Sequence, residues 1–220
     1  EYGGDLKGRA KIILDIMRGI KERLGEELLI CCRFNGSDHV EGGLTLEDTE
    51  KLAVLFEEAG ADFLSVTAGV YGAYPVIIPP MDVKHGCFVH LAEGVKSVVG
   101  VPVVAVGRVV DPWLAENILQ AGQADIVAMG RALVADPDLP LKTQRGDFDE
   151  IRKCIGCNQG CQDREADLPT TCLVNPAMGR EKEMEIVPAV ASRKVLVIGG
   201  GLAGLEAARV AAERGHKVTL

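Results

Sequence analysis

Val104-Ala105-Val106-Gly107-Arg108 and, 23 residues later, Val127-Ala128-Met129-Gly130-Arg131 share one pattern. In each, a short apolar run ends in Gly-Arg, and an Asp-Pro pair follows: Asp111-Pro112 after the first, Asp136-Pro137 after the second. A continuous apolar run is the mark of a strand buried on both faces of a parallel sheet. Asp-Pro is a helix-opening signal, because proline suits the first helical position. The repeat is therefore one strand–helix unit long. Glycine at the C-terminal end of a strand lets a ligand approach the backbone and leaves an N–H free for an anion. Arginine beside it supplies a planar fork that matches phosphate oxygens. In (β/α) barrels the phosphate site follows the last two strands.

The same alternation extends toward the N-terminus. Ile12, Ile13, Ile16, Met17, Ile20 and Leu24 recur at helical spacing and are closed by Gly25. The run Leu28 to Phe34 reads as a strand, with Arg33 near its end facing the same mouth as the two Gly-Arg pairs. Thr45 with Asp48 forms a capping-box pattern that opens a helix reaching Ala59-Gly60, and Phe63 to Val66 is the next strand. A long Gly- and Pro-rich loop, Thr67 to Gly86, carries Tyr71, Tyr74, Met81 and His85; loops of this size in compact domains are usually functional. Further on, 91–99 reads as a helix, 101–106 as a strand, 111–122 as a helix and 125–129 as a strand, with Asp136-Pro137 opening the next helical segment. Four such units are half of an eight-stranded barrel, whose full length is about 250 residues.

Composition bounds the rest. The 220 residues carry 24 Lys and Arg against 32 Asp and Glu, a net charge of −8, and are 47% hydrophobic and 25% charged. That describes a chain able to bury a core and excludes disorder. The acidic balance, without a basic run, speaks against nucleic-acid binding. No apolar stretch approaches the roughly 20 residues of a membrane span, and the N-terminal residues have no signal-peptide character, so no membrane association and a cytoplasmic location are expected.

Of the seven cysteines, four fall in the pattern Cys154-x2-Cys157-x3-Cys161-x10-Cys172. Four thiolates can ligate a zinc ion or an iron–sulfur cluster. Zinc favours two separated knuckles. Here three cysteines crowd together with interleaved glycines, which suits a [4Fe–4S] cubane whose sulfurs accept backbone N–H groups. Cys31, Cys32 and Cys87 read as inert core residues. After a charged and then Pro- and Ala-rich linker, Lys194 to Ile198 leads into Gly199, Gly201 and Gly204 and an Ala-rich helix. This is the strand–turn–helix setting of a dinucleotide fingerprint. The four histidines have no partner pattern suggesting a catalytic triad.

With these pieces in order, the chain resembles the iron–sulfur flavoenzymes of the Old Yellow Enzyme superfamily, of the 2,4-dienoyl-CoA reductase and NADH:flavin oxidoreductase kind. The residues that carry the resemblance are Glu1-Tyr2-Gly3-Gly4, Gly42-Gly43-Leu44-Thr45, the two Gly-Arg strands, Cys154 to Cys161, Cys172-Leu173-Val174-Asn175-Pro176 and the glycine fingerprint. It implies an FMN in the barrel mouth, a [4Fe–4S] cluster beside it, and a downstream domain for FAD and NAD(P)H. By position, Arg33 lies near the flavin ring; Gly107, Arg108, Gly130 and Arg131 hold the FMN phosphate; and Cys154, Cys157, Cys161 and Cys172 ligate the cluster. Gly199, Gly201 and Gly204 approach a dinucleotide. Where the dienoyl-CoA reductases place an active-site histidine, the nearest residue here is Tyr71, a candidate proton donor.

The expected organisation is α/β: residues 1–150 as the C-terminal half of an FMN-binding TIM barrel, 151–180 as the cluster segment, 181–193 as a linker, and 194–220 as the start of a Rossmann-like FAD/NAD(P) domain. The expected activity is NAD(P)H-dependent reduction of the activated C=C bond of a small unsaturated carbonyl or enoyl-CoA. The alternatives are an amine dehydrogenase of the same architecture and a non-catalytic, metal-stabilised fragment. A half-barrel leaves open sheet edges, so pairing with a second copy is also expected.

Overall fold

The computed structural model describes residues 2–162 and 168–220. Glu1 of the N-terminal motif and residues 163–167, between Cys161 and Cys172, lie outside them. The chain divides into two compact units, Glu1–Pro176 and Ala177–Leu220.

In the first unit a helix leads into a parallel sheet. Helix α1 (Leu6–Leu24) is opened by Asp5, whose side chain accepts from Gly8 N at 2.7 Å, and closed by Gly25. It buries Ala10, Leu14 and Met17; each buried Leu or Met contributes roughly 2 kcal/mol of transfer free energy. Strand β1 (Cys31–Asn35) follows, then α2 (Leu46–Glu58), β2 (Phe63–Thr67), the four-residue α3 (Tyr74–Ile77), α4 (Val89–Lys96), β3 (Val103–Ala105), α5 (Pro112–Gln120), β4 (Ile126–Val127), α6 (Gly130–Ala135) and α7 (Leu139–Arg145). The capping box is present: Thr45 accepts from Asp48 N while Asp48 accepts from Thr45 N. The strands lie in the order β1-β2-β3-β4, all parallel, in register Cys31↔Phe63, Leu64↔Val103 and Val104↔Ile126. Leu64, Val66, Val103 and Ala105 are fully buried among Phe56, Leu91, Ala92 and Val95 of the covering helices.

Carboxylates hold the N-terminal ends of these strands. Asp62 accepts from Ile30 N at 2.6 Å and from Lys21 Nζ at 3.0 Å. Glu57 accepts from Gly100 N and Val101 N at 2.9 and 3.1 Å. Asp125 accepts from Val103 N at 2.9 Å and pairs with Lys96. The Asp62 carboxyl is held below the ordinary carboxylate range by the Ile30 N–H and then Lys21; that of Asp125 by Lys96 and then the Val103 N–H.

Several boundaries differ from the sequence reading: the helix read over 91–99 is Val89–Lys96, and the strands read over 101–106 and 125–129 are Val103–Ala105 and Ile126–Val127. Two further differences have a local cause. The strand expected from Leu28 begins at Cys31, because the Ile30 N–H is taken by the Asp62 side chain and Leu28 and Leu29 stay exposed. The helix expected to open at Asp136-Pro137 opens later, as α7, and a short helix outside the sequence reading, α6, precedes it. α6 starts directly at Gly130 and ends at Asp136, as a residue before proline avoids helical backbone, and α7 opens at Leu139 with Pro140 in its first turn.

In the second unit, β5 (Lys194–Leu196) and β6 (Lys217–Thr219) pair in parallel across helix α8 (Leu202–Glu213). The glycine turn joins β5 to α8. A Cβ at Gly204 would fall on the carbonyl oxygen of Gly199, so the first turn of α8 can approach that loop only without a side chain there. Among the described residues, no helix is long and apolar enough to cross a membrane.

Candidate active site

The C-terminal ends of β1, β3 and β4 open into one cleft lined by Arg33, Gly107, Arg108, Gly130, Arg131 and Cys154, enclosing about 910 Å³ together with its open mouth. The five residues expected from sequence to face an FMN thus come together. Gly107 has φ +120°, and a Cβ there would stand 2.9 Å from Phe88 N; the turn accepts only glycine. At Gly130 a Cβ would meet nothing within 4 Å, so no protein neighbour requires glycine there and the cleft floor is left open.

Arg108 follows with φ 51° and is 8% exposed. Its Nη1 donates to Pro80 O at 2.7 Å and to Val83 O, while its Nε is buried and has no partner. A Cβ at Gly156 would come within 2.8 Å of Arg108 Nη2, so the glycine between Cys154 and Cys157 makes room for the guanidinium. Arg131 Nη1 donates to Pro79 O at 2.9 Å and to Asn158 Oδ1 at 2.6 Å. Both arginines therefore reach the long loop on one side and the cysteine segment on the other.

The four cysteines line a second, small pocket, shared with Arg131 and Val174, that encloses about 330 Å³ together with its open mouth. All four are free thiols. Burial pushes the Cys161 thiol up, with the Arg131 guanidinium opposing and the other three cysteines adding to the rise. Among the described residues, no three His, Cys, Asp or Glu side chains converge closely enough to hold a single metal ion. Cys154 and Arg131 belong to both the cavity and the cleft.

Tyr71 stands apart. It lies in a single turn of 3₁₀ helix, residues 71–73, is 90% exposed, and does not line the cleft. Among the three cysteines expected to be buried, Cys87 is buried, Cys32 half-buried and Cys31 exposed at the start of β1. Burial raises the Cys32 thiol to about 11, which keeps it unreactive.

Sequence reasoning missed two residues. Asn158, 9% exposed with φ 59°, accepts from Arg131 and donates through Nδ2 to Ile78 O at 3.0 Å. Asn175, 2% exposed, donates to Val134 O at 3.0 Å and ties the segment after Cys172 to α6. The signal was available in both: Asn158 directly follows Cys157, and Asn175 lies in the Cys172–Pro176 run, three residues after Cys172.

Residues 1–150 match the family model described as the NADH:flavin oxidoreductase / NADH oxidase family. The chain belongs to that family. A second model, described as the alanine dehydrogenase/PNT C-terminal domain, matches residues 170–220. The chain is 46% identical over 223 residues to an NADH oxidase of Thermoanaerobacter brockii, covering 100% of this chain and 34% of that protein. It is 39% identical to a cinnamate reductase of Clostridium sporogenes, covering 100% of this chain and 35% of that protein. The solved structure of a 2-naphthoyl-CoA reductase with 2-naphthoyl-CoA superposes with a TM-score of 0.90 at 36% identity, covering 97% of this chain and 33% of that one. The chain thus spans about a third of the length of the relatives it matches.

Proposed function

We propose that this family member contributes the FMN-phosphate cleft, the [4Fe–4S] segment and the first βα unit of an FAD/NAD(P)-binding domain to an oxidoreductase. That enzyme uses NAD(P)H to reduce the activated C=C bond of a small unsaturated carbonyl or enoyl-CoA. On this reading residues 1–150 are the C-terminal half of a (β/α)₈ barrel, 151–180 the cluster segment, 181–193 a linker and 194–220 the start of the nucleotide domain. The observation that carries it is the shared wall: Cys154 and Arg131 line both the arginine cleft and the four-cysteine cavity.

The residues present fit both groups. An orphaned, buried guanidinium nitrogen on Arg108 and an open floor at Gly130 suit a phosphate-bearing ligand. Four free thiols line one pocket, the ligand number that a [4Fe–4S] unit takes, and the crowding of three of them with interleaved glycines suits it better than zinc. When bound, the flavin supplies hydride to the polarised alkene and the cluster supplies one-electron transfer from the nucleotide side. Within this chain, Arg108 and Arg131 neutralise phosphate charge, Arg33 presents a cation toward the same cleft, and Cys154, Cys157, Cys161 and Cys172 ligate iron. Gly199, Gly201 and Gly204 let a dinucleotide approach the start of α8. Tyr71, exposed in the long loop after β2, offers a phenolic proton to a substrate entering from solvent.

The cinnamate and naphthoyl-CoA reductases among the relatives favour alkene reduction over amine oxidation. Anaerobic purification of the full-length protein tests the reading. Iron and sulfide near four each per chain, with NAD(P)H-dependent loss of an enone or enoyl-CoA chromophore, are expected. One zinc without iron, or turnover of an amine with dye reduction in place of alkene reduction, would overturn it.

A further inference from the structure

Asn158 lies inside the cysteine pattern, between Cys157 and Cys161, yet its side chain points away from chain neighbours and joins two other elements. Its Oδ1 accepts from Arg131 Nη1 at 2.6 Å, at the start of α6. Its Nδ2 donates to Ile78 O at 3.0 Å, in the long loop. Its own carbonyl accepts from Gln162 N at 2.9 Å and so closes the turn that contains Cys161. The residue is 9% exposed, and its φ of 59° is one that asparagine tolerates better than most side chains. A buried amide with both ends satisfied at a left-handed position is costly to assemble for packing alone.

The same guanidinium that Asn158 holds lines the arginine cleft. Arg131 has one Nη1 shared between Asn158 Oδ1 and Pro79 O, so its orientation is set by the cysteine turn on one side and the loop on the other. A second contact runs in parallel, Arg108 Nη2 against Gly156. Any ligand that fixes Arg131 from the cleft side also fixes Asn158, and with it the turn carrying Cys161.

From this geometry we propose that Asn158 is a positioning residue that couples the two sites: a phosphate-bearing flavin in the cleft stabilises a cluster in the cysteine cavity, and the cluster tightens flavin binding by the same factor. The inference rests on the cofactor assignment made above. Reciprocity follows from linkage, since both ligands favour one arrangement of the Arg131–Asn158 pair. The coupling needs no change in either ligand set, because Asn158, which lines the cysteine cavity without being one of its thiols, is not among the residues lining the arginine cleft.

The test uses the full-length protein, loaded with cluster, with its FMN site filled or emptied. The readout is the rate of iron release to a coloured ferrous chelator under anaerobic, reducing conditions. In the wild type, bound FMN is expected to slow iron release about fivefold or more, the lower end of ordinary coupling factors. Asn158→Gly keeps the backbone conformation and removes both side-chain bonds; its iron and sulfide content should match wild type, and FMN should no longer slow iron loss. Asn158→Asp keeps an acceptor for Arg131 and should retain the protection. Equal FMN protection in wild type and Asn158→Gly overturns the proposal, as does a wild type in which FMN gives no protection. Protection lost in Asn158→Asp as well overturns its assignment to the Arg131 contact. A wild type that holds no iron at all refutes the cofactor assignment itself, and iron analysis before the release assay separates that failure from the others.

Discussion

Asp136, which is fully buried, accepts from Lys142 Nζ at 2.7 Å across the break between α6 and α7. The same carboxylate accepts from Arg152 N at 2.9 Å and Asp138 N at 3.2 Å. It therefore fixes the chain two residues before Cys154. Burial alone would raise its pKa; Lys142 and the two backbone donors together overcome this and hold the carboxyl below its ordinary 3.8.

Asp136→Asn leaves the Lys142 ammonium, itself mostly buried, without its counter-charge. A loss of about 3 kcal/mol is expected, the lower end for a broken buried pair. The sign of the pH dependence follows from the lowered pKa. The stabilisation is complete above the unfolded value near 4 and disappears as pH falls through the lower folded value. Urea midpoints by circular dichroism from pH 7 to pH 2.5 should show a smaller acid-side loss in Asp136→Asn than in the wild type, the remainder coming from Asp62 and Asp125.

Arg108→Lys replaces a fork by a point charge. It loses the paired Pro80 and Val83 carbonyl contacts and the buried, unpartnered Nε. FMN affinity, read by quenching of flavin fluorescence, should fall about 10- to 100-fold, the worth of one charge-assisted hydrogen bond. Unchanged affinity would assign Arg108 to holding the loop alone.

Gly204→Ala places a methyl on the Gly199 carbonyl oxygen, whereas Gly200→Ala meets nothing within 4 Å. Overpacking of this kind costs about 2 kcal/mol. Calorimetric titration of the full-length protein should show dinucleotide affinity about thirtyfold weaker for Gly204→Ala and near wild type for Gly200→Ala.

Tyr71→Phe removes an exposed loop phenol and little else, since the side chain is 90% exposed. If Tyr71 donates the proton that follows hydride transfer, kcat for alkene reduction falls about a hundredfold, the lower range for a general acid. Reduction of the flavin by NAD(P)H, followed by stopped flow, should be unaffected. An unchanged kcat would leave Tyr71 as an exposed loop aromatic with no part in the chemistry.

Much of this arrangement was legible in the sequence because its signals are local. The Thr45–Asp48 box, the Gly25 stop and the Asp111-Pro112 start depend on residues within one helical turn, and each stands where expected. The two Gly-Arg pairs share a cleft because each ends a strand of one parallel sheet. What sequence did not convey depends on distant partners. The start of β1 is set by Asp62, 32 residues from Ile30, and the orientation of Arg131 by Asn158, 27 residues away. Asp136 read as a helix opener because Asp-Pro is a local signal; its burial and its three donors come from α7 and the approach to Cys154.

The carboxylates of Asp62, Glu57 and Asp125 sit where the strands begin, while Gly107, Arg108, Gly130 and Arg131 sit where they end. The anchoring carboxylates and the proposed ligand cleft thus occupy opposite poles of one sheet, the arrangement general in barrel enzymes. The strand-start pole can drift, or be hardened by design against heat, while turnover is left alone. Conversely, a lineage can explore new substrates by reshaping the loops above the strand ends without endangering the framework that supports them.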